Sequence, residues 1–153
     1  MMSPFAKECM ETLKAQDDQI AKIVKDIELQ GLNWKPIPGI NTIYVLISHI
    51  AGSRNFWINQ VIGGDDIHRE RDAEFKAWGQ DRQMLLRKLL DSTAQCLETL
   101  GRLAPEESNS LRRVRDKEYT VRWCMLHAIE HSGYHIGQIK LLEKQLSKNG
   151  GKK

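Results

Sequence analysis

Apolar residues recur at three- and four-residue steps along most of this chain, and Pro and Gly cut that pattern into four long stretches. The first predicts a helix from about Ser3 to Gln30, with Ser3 as its cap and Pro4 at the first helical position. Its stripe is Ala6, Met10, Leu13, Ile20, Val24 and Ile27, and Gly31 ends it. An irregular linker, Leu32 to Ile40, follows with Pro36, Pro38 and Gly39, tied down by Trp34. The second helix is expected from about Asn41 to Ile62, on Val45, Leu46, Ile50, Phe56, Trp57 and Val61, and Gly63-Gly64 stops it.

A charged connection then runs from Gly63 to about Ala77. It exceeds the roughly 2–8 residues of a tight helical hairpin, so it reads as a crossover along a bundle. The third helix is expected from about Trp78 to Leu103 on Leu85, Leu86, Leu89, Leu97 and Leu100. Residues 106 to 118 are polar, and Arg112, Val114 and Tyr119 alternate as a short extended piece would. The fourth helix is expected from about Tyr119 to Leu146, capped by Thr120. Four amphipathic helices of roughly 30–40 Å must each bury a face. The expected fold class is therefore all-α, a four-helix bundle with a long crossover between helices 2 and 3.

The 153 residues fit one domain over 1–147, with a frayed tail at 148–153 rich in Lys and Gly. Hydrophobic residues make up 41% and charged residues 28%, enough for a core without disulfides. No apolar run approaches the ~20 residues of a membrane span, and Lys7 and Glu8 interrupt any signal peptide. Three scattered cysteines (Cys9, Cys96, Cys124) argue for a reducing cytoplasm. A net charge of +3 gives no case for a nucleic-acid partner by itself. Arg112, Arg113, Arg115, Lys117 and Arg122 form a basic cluster, but Glu106, Glu107, Asp116 and Glu118 offset it.

The chemistry lies in the histidines. His127, His131 and His135 follow one another at four-residue steps, so either consecutive pair can aim two imidazoles at one spot. His49, in the most apolar part of the second helix, is the third candidate, because a buried imidazole needs a partner or an ion. An up-down bundle would align His49 with His127; the long crossover favours His131 and His135 instead. The expected ligands of a divalent metal are therefore His49, His131 and His135, with Gly52 and Ser53 leaving space beside the ion. An all-nitrogen set suits Zn²⁺, Ni²⁺, Co²⁺ or Fe²⁺. Gln138 is placed to orient His135 or a substrate. Asp17 either accepts from a ligand histidine or pairs with a basic residue. Cys124 reads as a buried structural thiol, His127 as a pocket residue, and His68 as solvent-facing. Gly133 and Gly137 read as permitting another helix to approach, within the chain or across a dimer seam.

The segment from Trp34 through Asn41 to Gly52, with His49, resembles the start of the second helix of DinB-like (damage-inducible, YfiT-like) metal-binding proteins. Tyr119 to Ile139, with His127, His131, His135 and Gln138, is similar to that family's last helix. The resemblance implies up-down-down-up connectivity, a Zn²⁺ or Ni²⁺ on the three histidines, and often a homodimer. It also implies, for some members, transfer of a low-molecular-weight thiol to a small electrophile. The functional expectation is a metal-dependent thiol S-transferase or hydrolase acting on a small molecule. The alternative is a non-catalytic metal-binding stress-response protein or dimeric binding module.

Overall fold

Side-chain caps start each of the four long helices in the computed structural model, which describes residues 1–150. Ser3 Oγ accepts from the Ala6 amide ahead of α1 (Pro4–Val24), and Thr42 Oγ1 from Val45 ahead of α3 (Ile43–Arg54). Asp81 accepts from Gln83 and Met84 at α5 (Arg82–Gly101), and Thr120 from Trp123 at α6 (Val121–Lys148). Each cap satisfies a backbone donor that the first helical turn leaves without a partner. Shorter elements lie between them: α2 (Leu29–Leu32), α4 (Arg71–Phe75), a 3-10 turn (Pro105–Asn109) and an antiparallel hairpin of β1 (Leu111–Val114) and β2 (Lys117–Thr120).

The lateral contacts fix the connectivity. The Ser3 amide donates to Leu103 O, and Arg82 donates to Lys25 O, so α1 and α5 run antiparallel. Ser92 donates to Ala51 O and Thr99 to Asn59, so the α3 rod and α5 run parallel. His49 meets His131 while Trp57 meets Trp123, so that rod and α6 run antiparallel. The bundle is up-down-down-up, with the crossover between its second and third rods.

Several boundaries depart from the periodicity. The first helix ends at Val24 rather than Gln30, and residues 29–32 form a separate turn that seats Leu32 in the core. The third begins at Arg82, and Trp78, expected inside it, is 71% exposed. The second rod changes character at Asn55, becoming π-helical through Ile62. That wider winding is rare and frequent at functional sites. Here it keeps Ile58, Asn59 and Ile62 buried. The crossover is partly helical and holds a buried carboxylate, Glu74. Lys148 still closes α6, and the expected tail of 148–153 falls partly on residues 151–153, which lie outside those described.

The core has two apolar halves. One gathers Ile20, Ile47, Ile50, Leu85, Leu89 and Ile139, the other Leu13, Ile58, Cys96, Leu100, Met125 and Ala128. Between them, along every rod, lies a polar layer centred on Arg54, which is fully buried. Its guanidinium pairs with Asp17 and donates to Gln16 (3.0 Å), Thr93 (2.8 Å) and Ser132 (3.1 Å). Asp17 thus takes a basic partner rather than a histidine. A buried charge so fully bonded ties all four rods to one relative height. Among the described residues, no helix is long and apolar enough to cross a membrane.

Candidate metal centre

The antiparallel packing of α3 on α6 brings His49, His131 and His135 to one point. His131 Nε2 lies 3.1 Å from His49 Nε2 and 3.2 Å from His135 Nε2. One nitrogen from each ring falls within 4.8 Å of the others. His49 and His135 are buried, and His131 is partly so.

The outer partners decide which nitrogen faces inward. His49 Nδ1 is 2.8 Å from Glu74 Oε2, and His135 Nδ1 is 2.7 Å from Gln138 Oε1. Both oxygens accept, so in the neutral rings both Nδ1 atoms carry the proton and both Nε2 lone pairs point at the centre. His131 Nε2 sits between them, and its Nδ1 is buried without a hydrogen-bond partner. Lone pairs directed at a shared point are a poor arrangement for three imidazoles alone and a good one for a cation between them. The donor set therefore fits a divalent metal. Burial, the neighbouring imidazoles and the Arg69 cation push the His131 pKa down to about 3. Burial also lowers His135, against its bond to Gln138, and lowers His127. These three rings stay neutral at pH 7 and keep a lone pair available.

Glu74 was not visible as a site residue in the sequence. It reaches the trio because Gly52 lacks a side chain: a Cβ there would lie 1.9 Å from Glu74 Oε1. The space expected beside the ion at Gly52 is filled by this carboxylate, while Ser53 lines the cavity. Burial alone would raise the Glu74 pKa. Hydrogen bonds from Arg69 (2.7 and 2.9 Å) and His49 outweigh it, so Glu74 is held below the usual carboxylate range. The available signal was one of three acidic residues, Glu70, Asp72 and Glu74, in and beside a short charged helix, and periodicity does not distinguish the buried one from its solvated neighbours.

A cavity of about 810 Å³ opens on His49 and His131. Trp57, Tyr119 and His127 line it, and His127 stacks on Trp123 at 4.7 Å with the rings 9° apart. His127 thus lies beside the trio as a pocket residue. His68 is exposed at the mouth. Cys124 is fully buried among apolar side chains, as expected. Gly133 and Gly137 face outward. A Cβ at Gly133 would meet only Gln16 Nε2 of α1, at 3.6 Å, an ordinary contact, and at Gly137 nothing within 4 Å, so neither position requires a glycine for close approach.

Comparison with known proteins agrees with this architecture. The chain is similar in fold to a conserved protein from Enterococcus faecalis (TM-score 0.76, 17% identity, covering 94% of this chain and 97% of that one). It is likewise similar to a DinB-like protein from Bacillus subtilis (TM-score 0.72, 16% identity, 92% of each chain). A DinB-like protein from Bacillus cereus gives a TM-score of 0.76 at 13% identity, over 92% of each chain. No curated protein matches the sequence. The family described as "Protein of unknown function (DUF1572)" matches residues 1–152. That match spans nearly the whole length, so the chain belongs to the DUF1572 family, and it shares its bundle fold with the named DinB-like proteins.

Proposed function

We propose that the protein holds one divalent ion on His49, His131 and His135 and acts on small electrophiles as a metal-dependent thiol S-transferase or hydrolase. The observation that carries this reading is the cavity of about 810 Å³ opening directly on two of the three imidazoles. A closed structural site would have no use for such an opening, whereas three nitrogen ligands leave room for a further one. A bound divalent ion supplies Lewis acidity and lowers the pKa of a coordinated water or thiol. Glu74 and Gln138 hold two of the rings in the ligating tautomer, and Arg69 keeps Glu74 ionised. Trp57, Tyr119 and His127 offer flat aromatic surface to the body of a substrate.

The three buried cysteines do not supply the thiol. Burial pushes Cys9 and Cys124 up to about 11 and Cys96 up to about 12, and none lines the cavity. A transferred thiol would have to come from a separate small molecule.

Two measurements test the reading. Mass-spectrometric metal analysis of tag-free protein should find one Zn²⁺, Ni²⁺, Co²⁺ or Fe²⁺ per chain, and His131→Ala should lose it. Thiol transfer from a low-molecular-weight thiol to 1-chloro-2,4-dinitrobenzene should then depend on the metal. Bound metal without transfer or hydrolysis of any electrophile would favour the non-catalytic metal-binding module, and an absence of metal would refute both.

A further inference from the structure

A second cavity, of about 420 Å³, adjoins the first, and the two share Phe56, Gln60, Val114 and Arg115 in their walls. Together they form a groove from the imidazole trio past the tip of the β-hairpin. Its ionised side chains are strongly unbalanced once Arg69 is set against Glu74. Arg71, Arg112, Arg113, Arg115 and Lys117 remain, against Glu70 and Asp116. Arg112 and Arg113 are occupied with backbone carbonyls. Among the described residues, the side chains of Arg115 and Lys117 have neither a hydrogen-bond nor an ion-pair partner.

Arg115 carries a second signal. It occupies the first position of the two-residue turn joining Val114 to Lys117, with φ of +59°. Among the described residues it is the sole non-glycine with positive φ. Hairpin turns normally place Gly, Asn or Asp there, because a longer side chain is strained in the left-handed region. Strain retained at a cavity wall, by a residue whose charge has no partner, points to a ligand. Guanidinium matches carboxylate and phosphate oxygens through paired hydrogen bonds, and the adjoining aromatic wall suits an apolar body. The larger cavity has the size of a small-molecule site.

We propose that this groove binds a small ligand bearing a carboxylate or phosphate on an apolar, aromatic-sized body, with Arg115 and Lys117 gripping the anion. Taking that ligand as the substrate rests on the metal-site reading above; the anion anchor itself does not.

Calorimetric titration of the full chain with phenyl phosphate, phenylacetate and uncharged benzyl alcohol tests this. At least one anion should bind saturably, the alcohol should not, and the preferred anion identifies which oxyanion the groove takes. Arg115→Gly should weaken binding about tenfold or more, as expected on loss of hydrogen bonds to a charged group. It should leave the melting temperature unchanged or higher, because glycine relieves the turn. Arg115→Lys should bind between the two, and Arg87→Ala, on the exposed face of α5, should bind as the parent does. Anions binding no better than the alcohol, or Arg115→Gly binding as tightly as the parent, would overturn the proposal. So would a single-stranded oligonucleotide that outcompetes both anions. Metal analysis of the same samples separates the two readings. Metal without anion binding refutes the groove assignment alone, and anion binding without metal supports the anchor while removing the metal site.

Discussion

Adding one methyl group at Gly52 tests whether the carboxylate behind His49 shapes the metal centre. The Cβ of Gly52→Ala would lie 1.9 Å from Glu74 Oε1 and 2.5 Å from its Cδ. Ordinary contact begins near 3.4 Å, so the carboxylate must retreat by roughly 1.5 Å. The bond from His49 Nδ1 to Glu74 Oε2, now 2.8 Å, does not survive such a shift. Alanine favours a helix interior over glycine by about 1 kcal/mol. Losing a hydrogen bond to a charged group costs about 1.5–3 kcal/mol. The second effect is larger, so the variant should be about 0.5–2 kcal/mol less stable in urea unfolding. Metal affinity should fall about 10–100-fold, the usual loss when an outer partner of a ligating histidine is removed. Competition with a chromophoric chelator measures this, with Glu74→Gln as the companion that preserves side-chain shape. A Gly52→Ala variant that is more stable than the parent and binds metal equally well would refute the positioning role of Glu74.

Three other outcomes follow from the same geometry. Arg54→Met should destabilise the fold by about 3–5 kcal/mol, because it strands Asp17 in the core without its cation. Adding Asp17→Asn should recover part of that in chemical denaturation. In metal-free protein, His131 titrates near 3 in the fold against 6.5 ordinarily, and His135 is also lowered, so the unfolded chain binds more protons. Stability should be full above pH 6.5 and decline as pH falls below it. The slope is at most ~1.4 kcal/mol per pH unit for each fully shielded group and less for these partly exposed rings. A urea midpoint that is level or rising between pH 7 and 5 would contradict this. The three free cysteines should resist Ellman's reagent at pH 8 in the folded protein and react together on unfolding, since burial raises every one of them.

The sequence by itself determined the four rods, two of their four caps, and the histidines able to meet. Helical periodicity is a local property, and so is capping at Ser3 and Thr120. The spacing of His131 and His135 already placed two rings on one face, and the crossover length indicated where His49 would fall. The pairing of His135 with Gln138 was legible for the same reason, since one helical turn separates them. Tertiary structure alone decided the rest. Glu74 reaches His49 across 25 residues of chain, through a gap that exists only because Gly52 is bare. Arg54 finds Asp17 on a different rod, and no local pattern reveals that an arginine at the end of α3 will point inward. The π-helical winding after Asn55 arises where buried Asn59, Thr99 and Ser92 bond across rods, a demand set by packing rather than propensity. The positive φ of Arg115 likewise belongs to a turn whose strands had to pair first. Local chemistry writes the elements. Contacts between residues far apart in the chain exist only once those elements are packed, and those contacts build the surroundings of the site.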